Sequence, residues 1–234
     1  MCPRFWYPPI LTYHRISPKA SADTPTLEPS QFERQMEILA THWRPIPLDQ
    51  LVESLEEKLP LPKRSVVVTF DDGTEDFFAH AFPILSRARV PATVFLIVGN
   101  IDGAGFLRRS EIQKMLQANI SFGSHTLAHE YLPSLPLASA EETLSVSKQL
   151  LQEIGVPAKH LSYPAGGFNA QIAKIARMVG YRSACTTNRG YRRFPIDLWA
   201  LRRISMHAKA SSIPGMWLSC SGYSGLNRRL RSPQ

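Results

Sequence analysis

Short apolar runs alternate with longer amphipathic segments along most of the chain. Seven of the runs are rich in β-branched and aromatic residues, and we predict buried strands at residues 10–14, 66–70, 93–98, 120–123, 161–163, 183–186 and 200–204. The segments between them carry apolar residues at helical spacing, and we predict helices at 30–41 (with Ser30 as the N-cap), 48–58, 74–88, 110–118, 139–154 and 169–179. This alternation predicts a mostly parallel sheet, and its length favours closure into a barrel.

Polar residues follow several predicted strands at the points where those strands end. His14, Asp71, Asp72, His125 and Pro164 all lie at or just after a strand end. In barrels of parallel strands the chemistry is found at the carboxyl ends of the strands. These five residues are therefore expected to belong to one site.

Two adjacent carboxylates, Asp71 and Asp72, come directly after the apolar strand at 66–70 and precede Gly73. Neighbouring acids at the mouth of a buried strand repel each other and lose hydration. The simplest compensation is a metal ion for one carboxylate and a proton to transfer for the other. An ordinary strand-to-turn junction is the alternative, because Asp-Gly is a common turn pair.

His125 and His129 are four residues apart, a spacing that places both on one face of a helical turn and lets them share one ion. With a carboxylate from elsewhere they form a His, His, Asp set that leaves coordination positions open. Open positions are typical of catalytic metal sites rather than structural ones. The spacing is often incidental by itself, and its combination with the Asp-Asp-Gly strand end strengthens the hypothesis.

Three motifs resemble, in order, those of the polysaccharide deacetylases, which are carbohydrate esterase family 4 or the NodB-homology domain. They are TFDDG at 69–73, HTLAH at 125–129 and SYPAGGFN at 162–169. LTYHRI at 11–16 is similar to the first strand of many members, and the resemblance spans about residues 9–207. It implies an irregular (β/α)7-type barrel and a metal-dependent hydrolase that removes N-acetyl groups from an N-acetylhexosamine-containing polysaccharide or glycolipid.

The resemblance also implies a role for individual residues. Asp72, His125 and His129 would hold one divalent ion, with zinc favoured and nickel, cobalt, manganese or iron as alternatives. Asp71 would be the general base. The turn after the 161–163 strand would contact substrate, with the backbone N–H of its third residue at the oxyanion; its residues are Tyr163, Pro164, Ala165 and Gly166.

The sequence departs from the family's commonest pattern in the third motif and near its end. Ser162 stands where an arginine usually pairs with the base, Ala165 fills an aromatic position, and only His207 could be the late catalytic histidine. A branch that acts on bacterial exopolysaccharides shares Tyr-His-Arg early and Leu-x-Arg-Ile late. That branch implies His14 as the general acid, with His207 as the alternative. It implies Arg203 as the partner of Asp71, with Arg202 next.

Composition fits one globular enzyme domain over residues 1–234, with a core at about 9–207 and a basic, aromatic tail at 208–234. The chain has 234 residues, 44% hydrophobic and 20% charged. Its apolar stretches are too short to cross a bilayer, and residues 1–9 do not have the pattern of a signal peptide, so a cytoplasmic location is expected. Cysteines at 2, 185 and 220 lack metal-like spacing and are expected to be free thiols.

The formal net charge of +8 favours anionic partners. No nucleic-acid motif accompanies the scattered basic residues, so nucleic acid is not expected as a partner. The expected partner is an N-acetylated polysaccharide or a lipid-linked sugar. The tail either packs across the barrel or forms a peripheral membrane contact. Two other functions stay open: a hydrolase of a small amide or imide, and a non-catalytic carbohydrate-binding descendant, which the intact acidic and histidine motifs disfavour.

Overall fold

A computed structural model describes residues 8–21, 24–187, 196–206 and 208–220 of the protein. It has ten strands: β1 (Ile10–Tyr13), β2 (Arg15–Ile16), β3 (Thr26–Leu27), β4 (Arg44–Pro45), β5 (Ser65–Phe70), β6 (Ala92–Leu96), β7 (Ile120–Ser124), β8 (His160–Ser162), β9 (Ser183–Thr186) and β10 (Leu201–Ser205). Seven of them pair in parallel and close a barrel in the order β1, β5, β6, β7, β8, β9, β10 and back to β1.

The predicted strands are the seven strands of this barrel, so the predicted barrel is confirmed. Their ends agree with the prediction to within two residues. Every residue of β5 is buried, because a barrel strand is covered by helices on one side and by the barrel interior on the other. The short strands β2, β3 and β4 were not predicted, since two residues are too few to show a periodic pattern.

Seven α-helices are described: α1 (Pro29–His42), α2 (Leu48–Glu57), α3 (Phe82–Ala88), α4 (Arg109–Leu116), α5 (Leu137–Glu153), α6 (Ala170–Met178) and α7 (Ile213–Cys220). The prediction of Ser30 as N-cap is wrong: the helix begins at Pro29 with Glu28 as the cap, because proline is well suited to the first helical position. The predicted 74–88 helix is divided into a π-helical segment, Phe77–Ala81, and α3.

A cluster of aromatic rings joins α1 to the barrel beneath the end of β1. The Tyr13 and Phe70 rings stack with centroids 5.3 Å apart, and Phe32 of α1 meets Tyr13 edge to face at 5.1 Å. The hydroxyl of Tyr13 donates to Gln35 at 2.8 Å, so this buried polar atom is satisfied. The carboxyl ends of β1 and β5 are therefore held on a rigid base.

The first part of the predicted tail packs on the barrel's helices as α7. Met216 and Cys220 are buried in the main hydrophobic cluster, and the ring of Trp217 lies 4.6 Å from that of Trp43. Residues 221–234 lie outside the described residues, so the predicted membrane contact of the tail stays a prediction. Within the described ranges, no helix is long and apolar enough to cross a membrane. Cys185 and Cys220 are buried thiols outside any disulfide, and Cys2 is not described.

At the amino end of the barrel, His160 of β8 joins α2 to β9. Its Nδ1 lies 2.9 Å from Ser183 Oγ, and its Nε2 lies 3.1 Å from Asp49 Oδ1. This resembles a Ser, His, Asp hydrolase arrangement in its contacts, but Ser183 is fully buried. The three residues therefore fasten a helix to two barrel strands.

Asp49→Asn should be less stable than the wild type at neutral pH, and this difference in stability should disappear in acid. The hydrogen bond from His160, which outweighs the opposing effect of burial, lowers the pKa of Asp49 from 3.8 to about 2. A carboxyl with a lower pKa in the folded state stabilises that state above its unfolded pKa, and the contribution disappears as pH falls through the folded value. The carboxyl is partly exposed, so we expect less than about 1 kcal/mol. Urea midpoints of the wild type and Asp49→Asn, from about pH 7 to about pH 2.5, measure the stability difference. A difference that stays constant over this pH range would contradict the role assigned to Asp49.

Candidate active site

A cleft of about 250 Å³ opens at the carboxyl ends of the barrel strands. It is lined by His14, Thr24, Pro25, Asp71, Asp72, His125, His129, Tyr163, Ala165, Gly166 and Thr187. Eight of these residues were predicted as site residues from the sequence. Two other predicted residues lie beside the cleft lining: Arg203 is behind Asp71, and Pro164 is buried within its turn.

Asp71 follows β5 and is held by a bidentate ion pair with Arg203 of β10. Arg203 Nη1 donates to Oδ1 at 2.7 Å, and Nη2 donates to Oδ2 at 2.6 Å. Nη2 also donates to Ser162 Oγ at 2.8 Å. Ser162, which stands where the family usually has an arginine, thus supports an arginine that comes from a different strand. Arg202 points to the other face of β10 and is only half-buried.

The ion pair decides the charge state of Asp71. Burial alone would raise the pKa of this carboxyl, but the charge of Arg203 and its hydrogen bonds outweigh burial and hold the pKa well below the ordinary 3.8. Asp71 is therefore a carboxylate throughout the neutral range. Because both oxygens are hydrogen-bonded to one planar guanidinium, its orientation is fixed as well.

Asp72 leaves the strand in a conformation that separates its carboxylate from that of Asp71. Its φ is +72°, and Gly73 follows with φ +71°. A Cβ at Gly73 would lie 2.5 Å from a side-chain methyl of Leu96, so any other residue would displace Leu96 as well as strain the backbone. The reversal directs Asp72 to the two histidines: Oδ1 lies 3.6 Å from His125 Nε2 and 3.8 Å from His129 Nε2.

His125 and His129 come from the turn that follows β7, and the prediction of a helical turn there is wrong. Thr126 and His129 have φ values of +66° and +60°, which no right-handed helical turn contains. The two rings still meet, with centroids 4.8 Å apart. A compact turn with two left-handed residues thus brings the histidines together in place of helical periodicity.

The donor atoms of Asp72, His125 and His129 fit a divalent transition metal. One ligand atom from each residue lies within 4.8 Å of the others. The Nδ1 of His125 lies 2.8 Å from the carbonyl oxygen of Ser162, which fixes the proton on Nδ1 and leaves the Nε2 lone pair free toward Asp72. Burial, against the pull of Asp71 and Asp72, lowers the pKa of His125, so the ring is neutral as a ligand must be. Separations of 3.6 and 3.8 Å are close to the ~3.4 Å between ligands in a tetrahedral site with ~2.1 Å bonds.

His14 lies directly after β1 and lines the cleft opposite the histidine turn. The segment that follows it is fixed by Asp76, a buried carboxylate just before the π-helical segment. Asp76 accepts the backbone N–H of Ile16 at 2.8 Å and the Nε–H of Arg15 at 3.1 Å. Asp76 was not predicted as a site residue. An acidic residue at a helix start was the signal available, and it usually indicates no more than capping.

The turn after β8 forms another wall of the cleft. Ala165 is exposed there with φ +52°, between the buried residues Pro164 and Gly166. Tyr163 is fully buried and stacks on Phe168 with centroids 4.9 Å apart. The side chain of Asn169 accepts the N–H of Ile172 at 2.9 Å and so caps the next helix.

One predicted residue lies outside the described part of the chain, and three residues of the cleft were not predicted. His207, the alternative general acid, lies outside the described residues. Thr24, Pro25 and Thr187 line the cleft without having been predicted. Their positions in loops carry no periodic or motif signal, so only the folded chain reveals them.

Comparisons with known proteins agree with this geometry. A family model described as "Polysaccharide deacetylase" matches residues 58–184. The Bacillus subtilis protein named "Putative polysaccharide deacetylase YxkH" is 31% identical over 217 residues, which are 92% of this chain and 74% of that protein. The poly-beta-1,6-N-acetyl-D-glucosamine N-deacetylase of Staphylococcus aureus is 27% identical over 168 residues, 65% of this chain and 58% of that enzyme. The match thus spans little more than half of the Staphylococcus enzyme.

A solved structure extends the likeness over almost the whole fold. The Streptococcus pyogenes deacetylase PplD in complex with acetate has a TM-score of 0.84 at 25% identity, covering 91% of this chain and 97% of that one. Fold and relatives together define the class of protein, a hydrolase on an irregular (β/α)7 barrel. More specifically, the chain belongs to the polysaccharide deacetylase family and is an enzyme of the deacetylase kind. The resemblance indicated by the three motifs is thereby confirmed.

Proposed function

We propose that the protein removes N-acetyl groups from an N-acetylhexosamine-containing polysaccharide or glycolipid in a metal-dependent hydrolysis. One observation carries the proposal: the Asp71–Arg203 ion pair lies beside Asp72, His125 and His129 in one cleft. Metal-dependent amide hydrolysis needs a base and a set of metal ligands, and a fixed carboxylate next to three ligand atoms can supply both. The Staphylococcus aureus relative, whose name specifies poly-β-1,6-N-acetyl-D-glucosamine, supports this substrate class.

Asp72, His125 and His129 would hold the metal, and their one-oxygen, two-nitrogen donor set favours zinc, with nickel, cobalt, manganese or iron as alternatives. A divalent ion bound by such ligands supplies Lewis acidity and makes water a better nucleophile at neutral pH. All three residues line the cleft, so an ion held by them would be within reach of a bound substrate.

Asp71 would act as the general base. It is ionised at neutral pH because Arg203 offsets its burial, so it can accept a proton from the attacking water without first losing one. Arg203 keeps the carboxylate in one orientation, and Ser162 keeps Arg203 in place. The proton acceptor is thus positioned before substrate arrives, which lowers the cost of ordering it during the reaction.

The turn from Tyr163 to Gly166 would bind the reacting acetamido group. As the carbonyl carbon becomes tetrahedral, negative charge develops on its oxygen, and a backbone N–H aimed at this oxygen stabilises it. Ala165 is the residue of the turn that is exposed to the cleft, so its N–H is our choice. Tyr163 and Pro164, both buried, would act by supporting the shape of the turn.

Acetate release tests the proposed function directly. The purified protein should release acetate from poly-N-acetylglucosamine or a related N-acetylated oligosaccharide, and the activity should be lost on chelation and restored by adding zinc. A panel of small amides and cyclic imides serves as the comparison set. Hydrolysis of those compounds without release of acetate from any N-acetylated sugar would refute the proposal and favour the small-molecule alternative.

His14→Ala should lower kcat by about 10²–10⁴-fold while metal content stays normal. We propose His14 as the acid that protonates the departing amine, because it lines the cleft and Asp76 fixes the segment behind it. The alkaline limb of the pH–rate profile should shift or vanish, since the acid must be protonated to act. His207→Ala should have a small effect. If His207→Ala is the damaging change, the acid assignment is wrong.

A further inference from the structure

The carboxylate of Glu130 lies inside the turn that carries the two candidate histidine ligands. Its Oε2 accepts the hydroxyl of Thr126 at 2.6 Å and the backbone N–H of Ala128 at 2.9 Å. The N–H of Glu130 itself donates to the Thr126 hydroxyl at 3.3 Å. Glu130 is thereby bonded to Thr126 and Ala128, two of the three residues between His125 and His129.

The other oxygen of Glu130 ties this turn to α5. The hydroxyl of Thr143 donates to Oε1 at 2.6 Å. One helical turn further along, Ser147 accepts the hydroxyl of Ser124 at 3.0 Å, and Ser124 Oγ in turn accepts the N–H of Thr126. Two residues on one face of α5 therefore fix the histidine turn.

The turn needs such support because its backbone is unfavourable in isolation. Thr126 and His129 both have positive φ, which costs energy for residues with a Cβ and most for a β-branched threonine. His125 is almost fully buried, but the side chain of His129 is 45% exposed. The position of His129 therefore depends on the shape of the turn more than on packing around its ring.

Glu130 is an anion in this setting. Burial would raise the pKa of its carboxyl, but hydrogen bonds from Thr126 and Thr143 outweigh it, and the pKa lies below the ordinary value. Two hydroxyl groups and a backbone N–H can all donate to a carboxylate, whereas a neutral acid would have to donate to one of them.

We propose that Glu130, anchored by Thr143, is a positioning residue that keeps His129 and His125 arranged for metal binding. The inference rests on the proposed metal site and goes beyond it, because neither residue is a ligand. Loss of either contact should weaken metal affinity even though all three ligands remain. Partners of metal ligands in other proteins contribute about 10–100-fold to affinity in this way.

Four variants distinguish an effect of the position of the histidine turn from an effect of negative charge near the metal site. Glu130→Gln removes a negative charge near the metal as well as the hydrogen bonds. Thr143→Val removes only the hydroxyl and leaves every charge in place. Thr143→Ser retains the hydroxyl and is the conservative rescue. Glu142→Gln, at an exposed neighbouring position of α5, is the matched control for loss of charge.

Titration of the metal-free proteins with Co²⁺, followed by its visible absorption, gives affinity and ligand geometry without reference to catalysis. We expect Thr143→Val to weaken binding about 10-fold and Glu130→Gln at least as much. We expect Thr143→Ser and Glu142→Gln to bind as the wild type does. Circular dichroism melts of the metal-free proteins, run in parallel, measure how much protein is folded.

Unchanged Co²⁺ affinity and spectrum in the folded fractions of both Glu130→Gln and Thr143→Val would overturn the proposal, even if their melting temperatures fell. An equal loss in Glu142→Gln would also overturn it, because the effect would then be one of charge. If the affinities follow the expected order but the wild type releases no acetate, the positioning role stands and the proposed substrate fails.

Discussion

Asp71→Asn is expected to bind metal with wild-type stoichiometry and to lose turnover by about 10²–10⁴-fold. The amide oxygen of asparagine can accept a hydrogen bond, but it cannot take up a proton from water at neutral pH as a carboxylate can. The proposed ligands Asp72, His125 and His129 are unchanged in this variant. Elemental analysis of the purified protein and acetate release measure the two effects separately.

The same substitution should lower stability, because it leaves the buried guanidinium of Arg203 without a counter-charge. Removal of one member of a buried ion pair costs about 3–5 kcal/mol. The pKa of Asp71 is lower in the folded protein than the ordinary 3.8. The ion pair therefore stabilises the folded wild type fully above the ordinary pKa of 3.8, and this stabilisation is lost as pH falls through the pKa that Asp71 has in the folded state. The stability difference between wild type and Asp71→Asn should accordingly shrink in strong acid.

A double variant, Asp71→Asn with Arg203→Met, distinguishes a loss of folding stability from a loss of the catalytic step. Removal of both charges eliminates the unpaired guanidinium, so most of the stability should return. Turnover should not return, since the proton acceptor is still missing. If the double variant regains activity along with stability, the base assignment is wrong. Asp72→Asn is the second comparison and should lose metal first; identical metal titrations for Asp71→Asn and Asp72→Asn would refute the division of roles between them.

His125→Ala is expected to abolish metal retention and activity together, as is Asp72→Ala. His125 is the most constrained of the three candidate ligands, being buried and bonded through Nδ1 to Ser162. Alanine removes its donor atom and leaves two of three ligands, which is too few for a catalytic site. Added zinc should restore activity to chelated wild type but not to His125→Ala.

His80→Ala is the matched control for the loss of a histidine. His80 lies in the π-helical segment Phe77–Ala81 and is absent from the lining of the cleft. It should retain metal and activity. Full activity of exhaustively chelated wild type, or of His125→Ala, would remove the metal from the proposed mechanism.

The barrel and the composition of its site could be predicted because both depend on local sequence. Each strand is a short apolar run, and Asp71, Asp72, His125 and His14 directly follow such runs. The topology then brings strand ends together, so residues far apart in the chain meet at one end of the barrel. The position of these four residues at strand ends was therefore enough to predict that they share one cleft, without knowledge of the contacts within it.

Other features depend on tertiary contacts and could not be predicted. The histidine turn adopts left-handed conformations because Glu130 and α5 fix it, whereas spacing alone favoured a helical turn. Periodicity did not separate Arg203 from Arg202, which face opposite sides of β10; only the family resemblance favoured Arg203, the residue that pairs with Asp71. Helix α7 was not predicted, because its eight residues are apolar on most sides and show no clear period.

The segment that matches the family model does not contain all of the site residues. The matched segment, residues 58–184, includes the two aspartates and both histidines. It excludes His14, which follows β1, and Arg203 on β10, the residues that we assign to proton delivery and to orientation of the base. The family match therefore covers the proposed metal ligands and the proposed base, but neither the proposed acid nor the partner of the base.

Strand β1 lies between β5 and β10, so the first barrel strand to be synthesised needs the last one to complete its pairing. While a nascent chain is still on the ribosome, β1 has one unpaired edge until residues 201–205 emerge. Arg203 arrives on that same strand, and until then Asp71 has no counter-charge. A chain that has not yet added β10 therefore leaves strand edges exposed that can associate with other chains. Closure of the barrel and pairing of Asp71 with Arg203 thus depend on the same strand.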